Sequence, residues 1–290
     1  MQQENKMDFN DMIIDAIKKY QAGTGRSYDY IIVDEFQDTS NLALRLLDQV
    51  FADNPQASFL SVGDDWQSIY GFNGSDVMIL SDYADRYQGV SLQPLNANFR
   101  SHPKVVELGK QFISKNKSQI QKDVRSGCES FDSSDVGFLT LAGLRAKIET
   151  IPAKESILIL YRYNEDGPII ASEFLDMFEL DRSRKPLKRL KCPRPISMMT
   201  IHASKGLEAQ HVFIVFPEGG RRKFPSEMED HFVFEMLKSK AETYPFAEER
   251  RLMYVAITRA RQNVYFVSPS DDPNSIFWDE LKELVELNGF

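Results

Sequence analysis

Cysteine is nearly absent: Cys128 and Cys192 are the only two in 290 residues, too far apart for a metal-ligand spacing. Four histidines add no ligand cluster. A zinc framework or a disulfide scaffold is thereby excluded, and free thiols in a reducing cytoplasm are expected. No apolar run approaches the ~18 residues that a membrane-spanning helix requires. The opening residues, 1–11, are polar and acidic, unlike a secretory signal. Positive charge is in the minority, 35 Lys and Arg against 43 Asp and Glu, net −8. That argues against a protein that coats nucleic acid with its whole surface, though not against a local basic groove.

What is present is a folded, globular composition: 42% hydrophobic, 27% charged and 11% aromatic, enough for one or two compact domains. Basic charge is locally concentrated. Residues 181–194 hold seven Lys/Arg against one Asp, and Arg221, Arg222 and Lys223 form a second cluster. Either a phosphate contact or a solvated linker accounts for each.

Phe9, Met12, Ile13, Ala16 and Ile17 fall on one helical face. Residues 28–33 and 58–63 read as short buried strands, with a helix over 41–52 between them. Further strands are expected at 90–95, 137–141, 156–161, 197–201, 211–216 and 263–267. Helices are expected at 103–115 and 276–288, and loops at 116–135 and 218–245. The alternation predicts an α/β fold with parallel sheets and ligands at the carboxyl ends of strands.

Five segments carry chemistry. In IIVDEFQD, residues 31–38, three apolar residues deliver Asp34 and Glu35 to a strand end, where one carboxylate can hold Mg²⁺ and the next can polarise water. In SVGDDWQSIYGFNGSD, residues 61–76, Gln67 can sense a terminal phosphate. Tyr70 and Phe72, flanked by Gly71 and Gly74, suit stacking on unpaired bases; Trp66 reads as core. LNANFRS, residues 95–101, offers Arg100 for neutralising a transferring phosphoryl group. MMTIHASKGLEAQHVFIV, residues 198–215, holds His202, Lys205 and Glu208 in a turn between strands. EERRLMYVAITRARQNVYFV, residues 248–267, supplies Arg259; Arg250 and Arg261 read as helix-surface partners of glutamates.

In this order the segments resemble the second to sixth motifs of superfamily 1A helicases of the UvrD/Rep type, over residues 8–270. GDDWQSIY, SKGLEAQHV and PFAEERRLMYVAITRAR look most like the bacterial DNA helicase IV group. The resemblance implies RecA-like parallel sheets flanked by helices, of P-loop NTPase type. It implies a first motor domain over 1–97 and a second over 98–290, with a small insertion around 116–195. It further implies ATP and Mg²⁺ as cofactors, single-stranded DNA and duplex junctions as partners, and 3′ to 5′ movement. By the same resemblance Asp34 ligates Mg²⁺ and Glu35 activates water. Gln67 contacts the γ-phosphate, and Phe99 stacks on adenine where relatives often carry Tyr. Arg100 and Arg259 are arginine fingers, Glu208 touches the nucleotide, and Tyr70, Phe72 and His202 contact DNA.

Two departures stand out. The third motif reads IYGFNG, where relatives carry a basic or aromatic residue near Gly71 and Asn73. The phosphate-binding pattern G-x-x-x-x-G-K-[ST] occurs nowhere, and Gly23-Thr24-Gly25-Arg26 lacks its lysine. The expectation is a first motor domain that is incomplete, a second that is nearly complete, and a chain inactive alone without the N-terminal motor segment. The competing expectation is a non-catalytic helicase-like module that binds nucleic acid or a protein partner, such as RNA polymerase or a repair protein.

Overall fold

The computed structural model describes residues 7–87, 89–128, 134–180, 186–188, 194–217, 223–228, 242–269 and 273–290. The chain divides into two compact units, the first up to Leu92 and the second over Gln93–Met228 and Thr243–Phe290.

In the first unit, α1 (Phe9–Gln21) starts at a capping box in which Asp8 and Asp11 satisfy each other's backbone N–H. Strand β1 (Tyr30–Val33) runs parallel to β2 (Ser58–Ser61), joined by α2 (Asn41–Asp53), whose N-terminus Ser40 caps. Two single-turn helices follow, α3 (Met78–Ser81) and α4 (Tyr83–Arg86). The core is aromatic: Phe36 meets Tyr83 edge-on at 5.2 Å, and Phe59 packs between Phe51 and Tyr87. The apolar face expected of α1 is covered only in part. Ile17 is buried, whereas Phe9 and Met12 are exposed.

In the second unit, β3 (Ala97–Asn98) pairs in parallel with β4 (Arg125–Ser126). A five-stranded, wholly parallel sheet follows, ordered β5 (Val136–Thr140), β11 (Ala260–Ser268), β10 (Ala209–Val215), β6 (Ile157–Tyr161) and β9 (Ile196–Thr200). Continuous apolar runs form these strands because both faces are covered. On one face Leu144 and Ile148 of α6 (Leu141–Thr150) and Ile170 of α7 (Asp166–Ser172) pack with Ile159, Phe213, Tyr265 and Val267. On the other, Phe138 lies 5.3 Å from Phe266 and 4.9 Å from Trp278 of α9 (Ile276–Asn288). The helices α5 (Pro103–Ile113) and α8 (Ala247–Ile257) complete the fold, with Gly109 against the Tyr254 ring. A small antiparallel pair, β7 (Phe178–Leu180) and β8 (Pro186–Lys188), sits within the expected insertion.

The strand expected at 90–95 is not formed; extended pairing is confined to Ala97–Asn98, while Leu92 and Leu95 are exposed. Pro94 removes a ladder donor in that stretch. The loop expected at 116–135 contains β4. Most of the 181–194 cluster, Arg221, Arg222 and most of 218–245 lie outside the described residues. No described helix is long and apolar enough to cross a membrane.

Candidate active site

In the first unit, β1 ends at Val33, and Asp34 and Glu35 follow at its carboxyl end, both exposed. Glu35 sits in the left-handed region, φ 51° and ψ 43°, and its amide donates to Asp34 Oδ1 at 2.8 Å. A non-glycine residue there is uncommon and costs energy that surrounding contacts must offset. Those contacts centre on Gln37, which is 1% exposed. Its Nε2 donates to Glu35 Oε2, and its Oε1 accepts from the Asp64 amide at 2.9 Å. The Gln37 carbonyl accepts from Ser68 Oγ at 3.1 Å. Asp64 in turn accepts from Gln67 Nε2 at 2.7 Å. One buried amide therefore ties the carboxylate after β1 to the turn after β2, and that turn holds Gln67. Gly63 makes room for it, since a Cβ there would meet Gln37 Oε1 at 2.9 Å.

The aromatics after Gln67 divide. Trp66 is buried, as its core reading requires. Phe72 is 45% exposed, and its ring meets that of Tyr70 edge-on at 6.0 Å. Tyr70 is half-buried; burial pushes its hydroxyl pKa up, and the charges of Asp38 and Glu35 push it further. Tyr70 thus stands within the field of the carboxylates while Phe72 faces solvent.

The second unit uses both edges of its sheet. His202 is half-buried in a single turn just past the carboxyl end of β9. Glu208, Arg259 and Arg261 lie at the amino ends of β10 and β11, opposite to the edge expected for ligands. Arg100 joins them because Ser101 Oγ donates to the Ala260 carbonyl at 2.6 Å and the His102 amide to that of Arg261 at 2.7 Å. Glu208 bridges two cations: Arg100 Nε donates to its Oε2 at 2.8 Å and Arg261 Nη1 to its Oε1 at 3.2 Å. All three side chains are at least a third exposed, so each pair contributes only about 0.2–1 kcal/mol. The cluster is cheap to rearrange.

Arg259 is 1% exposed and donates to the carbonyls of Val255 at 3.0 Å and Leu207 at 3.2 Å. It therefore braces the residue next to Glu208. Phe99 is 74% exposed, beside Arg100. Arg250 and Arg261 correct the helix-surface expectation. Arg261 lies in β11 and pairs with Glu208. Arg250 is 3% exposed, pairs with Glu280 of α9 and lies over the rings of Phe112 and Phe277. Gln37, Gly63 and Arg261 received no site role from the sequence, because their partners are set by the fold.

The first α/β unit thus carries paired carboxylates and a glutamine, and the second carries arginines around a glutamate. The profile of the UvrD/REP helicase N-terminal domain matches residues 1–88, and that of the UvrD-like helicase C-terminal domain matches 163–270. The chain belongs to the UvrD/Rep helicase family. It is 34% identical over 286 residues to DNA helicase IV of Escherichia coli, 97% of this chain and 40% of that protein. The "Probable DNA helicase" of Mycoplasma pneumoniae is 30% identical over 295 residues, 95% of this chain and 51% of that one. ATP-dependent DNA helicase srs2 of Schizosaccharomyces pombe is 32% identical over 124 residues, 42% of this chain and 14% of its own length. The chain thus spans about half or less of each of these relatives.

Proposed function

We propose that this chain is the part of an ATP-dependent 3′–5′ DNA helicase that hydrolyses ATP and couples hydrolysis to movement on single-stranded DNA. The observation that carries the reading is the buried Gln37 amide linking Glu35 to the Asp64–Gln67 turn. It makes a carboxylate base and a phosphate-sensing glutamine one mechanical unit.

Asp34 and Glu35 are exposed oxygen donors at a strand end, a set that fits Mg²⁺, with Asp34 as its ligand. The metal would supply neutralisation of phosphate charge. Glu35, whose carboxylate accepts from the buried Gln37 amide, takes the proton of the attacking water on a carboxylate oxygen. Gln67 orients toward the terminal phosphate, and its bond to Asp64 relays that contact to Gln37. In the second unit Phe99 offers a ring to adenine, and Glu208 contacts the nucleotide. Arg100, whose partner is weakly bound and solvent-exposed, is the finger that moves to phosphate. Arg259 is the second finger, and leaving its carbonyl acceptors is the cost of reaching phosphate. Phe72, Tyr70 and His202 receive single-stranded DNA, with base stacking worth roughly 1–3 kcal/mol at an open ring such as Phe72. The domain division at 97/98, a cytoplasmic location, and duplex junctions with repair or transcription proteins as partners belong to the same reading.

No G-x-x-x-x-G-K-[ST] pattern lies within the 290 residues, so the phosphate-binding loop has to come from outside them. The test is ATP turnover, with and without single-stranded DNA, by the chain alone and after fusion to the phosphate-loop segment of a family member. DNA-stimulated turnover only in the fusion is expected. Turnover at the same rate by the chain alone would refute the need for the loop, and none in the fusion would refute the motor.

A further inference from the structure

Phe99 is a large apolar ring left 74% exposed, and an exposed ring on a flexible loop is a poor platform unless something holds it. The backbone around it is held. The Arg125 amide donates to the Asn96 carbonyl and the Gly127 amide to the Asn98 carbonyl, each at 2.8 Å, flanking the β3–β4 pairing. Asn98 Oδ1 accepts from the amides of Arg100 and Ser101, both at 2.9 Å, and Ser126 Oγ donates to the Ser101 carbonyl at 3.0 Å. Residues 96–101 and 125–127 are therefore one clip, with Phe99 and Arg100 at its tip.

Within that clip Gly127 is the residue under the ring. Its φ lies outside the left-handed region, so the backbone does not require glycine there. Space does. A Cβ built on Gly127 would stand 2.5 Å from Cε1, 2.8 Å from Cδ1 and 3.0 Å from Cζ of Phe99, and these are its nearest neighbours. Any side chain would have to displace the ring. Because the ring borders solvent, it can swing away at little cost to the fold.

We propose that Gly127 is a positioning residue for nucleobase recognition: it seats the Phe99 ring so that its open side meets adenine. This rests on the reading of Phe99 as the adenine platform. Gly127 touches neither phosphate nor metal; its effect passes through the ring alone. The consequence is selective. Substitution at 127 weakens binding of ligands that carry a base and leaves the phosphate contacts of Arg100 untouched.

The experiment titrates ATP and inorganic tripolyphosphate separately into the full chain, following backbone amide NMR shifts around Phe99 and Arg100. Wild type, Gly127→Val, Gly127→Ala and Phe99→Ala are compared, with thermal melts of each. The expected result is at least about a fivefold loss of ATP affinity in Gly127→Val, matching Phe99→Ala, since base–aromatic stacking is worth about 1 kcal/mol or more. Tripolyphosphate binding and the melting temperature stay at wild-type values. Should Gly127→Val melt early, Gly127→Ala, whose Cβ meets the same ring atoms, decides the matter. Loss of ATP affinity in Phe99→Ala but in neither Gly127 variant would overturn the seat and leave the platform standing. Unchanged ATP affinity in Phe99→Ala, or no ATP-dependent shift in wild type, would overturn the platform reading and the seat with it. Equal loss of ATP and tripolyphosphate in the Gly127 variants would assign the glycine to the clip and overturn the proposal.

Discussion

Gln37→Leu isolates the latch between the two strand ends. Leucine nearly matches glutamine in volume, so the cost is polar rather than a cavity. The change removes the acceptor of the Asp64 amide and the donor to Glu35. Glu35 is exposed and regains water, whereas Asp64 is half-buried and rehydrates only in part. One net hydrogen bond is worth about 0.5–1.5 kcal/mol and a stranded donor about 1–3 kcal/mol, which puts the total at about 1–3 kcal/mol. Urea unfolding reads it through Trp66, which is 1% exposed in the first unit, in a Trp278→Phe background that silences the second. With a loss of about 2 kcal/mol and a slope of about 2 kcal/mol per molar, the middle of each range, the midpoint falls by roughly 1 M. Gly63→Ala drives a Cβ against the same Gln37 oxygen and loses a comparable amount. The double variant loses less than the sum, because both act on one contact. A loss below about 0.3 kcal/mol for Gln37→Leu, or strict additivity within that error, would refute the latch.

Arg250→Met destabilises the second unit by about 3 kcal/mol, the low end for breaking a buried pair, because Lys115 still lies 3.4 Å from Glu280. Burial pushes the Glu280 carboxyl up, but the bonds from Arg250 and Lys115 outweigh it and hold the pKa below its ordinary value. A depressed folded value means that the stabilisation is present at neutral pH and is lost as pH falls through that value. The gap in melting temperature between wild type and Arg250→Met therefore narrows under acid; a constant gap would contradict the ion pair. Phe72→Ala in the loop-fused motor lowers unwinding more than DNA-free ATP turnover, and an equal loss of both would remove Phe72 from the proposed DNA contact.

The sheets were legible because their strands are continuous apolar runs. Residues 156–161 and 211–216 read as buried strands and form β6 and β10 within two residues. The run at 90–95 misled, since Val90, Leu92 and Leu95 carry strand-like apolarity, but Val90 packs against the first unit's core while Leu92 and Leu95 lie exposed on a stretch that Pro94 interrupts. The placement of Asp34, Glu35 and Gln67 just after strands was legible because each follows an apolar run within a few residues, where parallel sheets present side chains; their roles belong to the proposal. Glu208, Arg100 and Arg261 were harder. They meet at the amino edge, through contacts spanning 108 residues for Arg100 and 53 for Arg261. Local spacing carries no trace of such pairs. Arg250 was misread for the same reason: its glutamates at 248 and 249 are neighbours in sequence, but the fold buries it against Glu280.

The most direct measurement is ATP binding and turnover by Glu35→Gln beside wild type in the loop-fused motor with single-stranded DNA. On the proposed reading the change removes the base and keeps Asp34 as metal ligand. Retained ATP binding with turnover lowered by at least about 100-fold, the scale of a lost general base, is the predicted result. Turnover at the wild-type rate would remove Glu35 from the reaction, and with it the claim that this strand end is where ATP is hydrolysed.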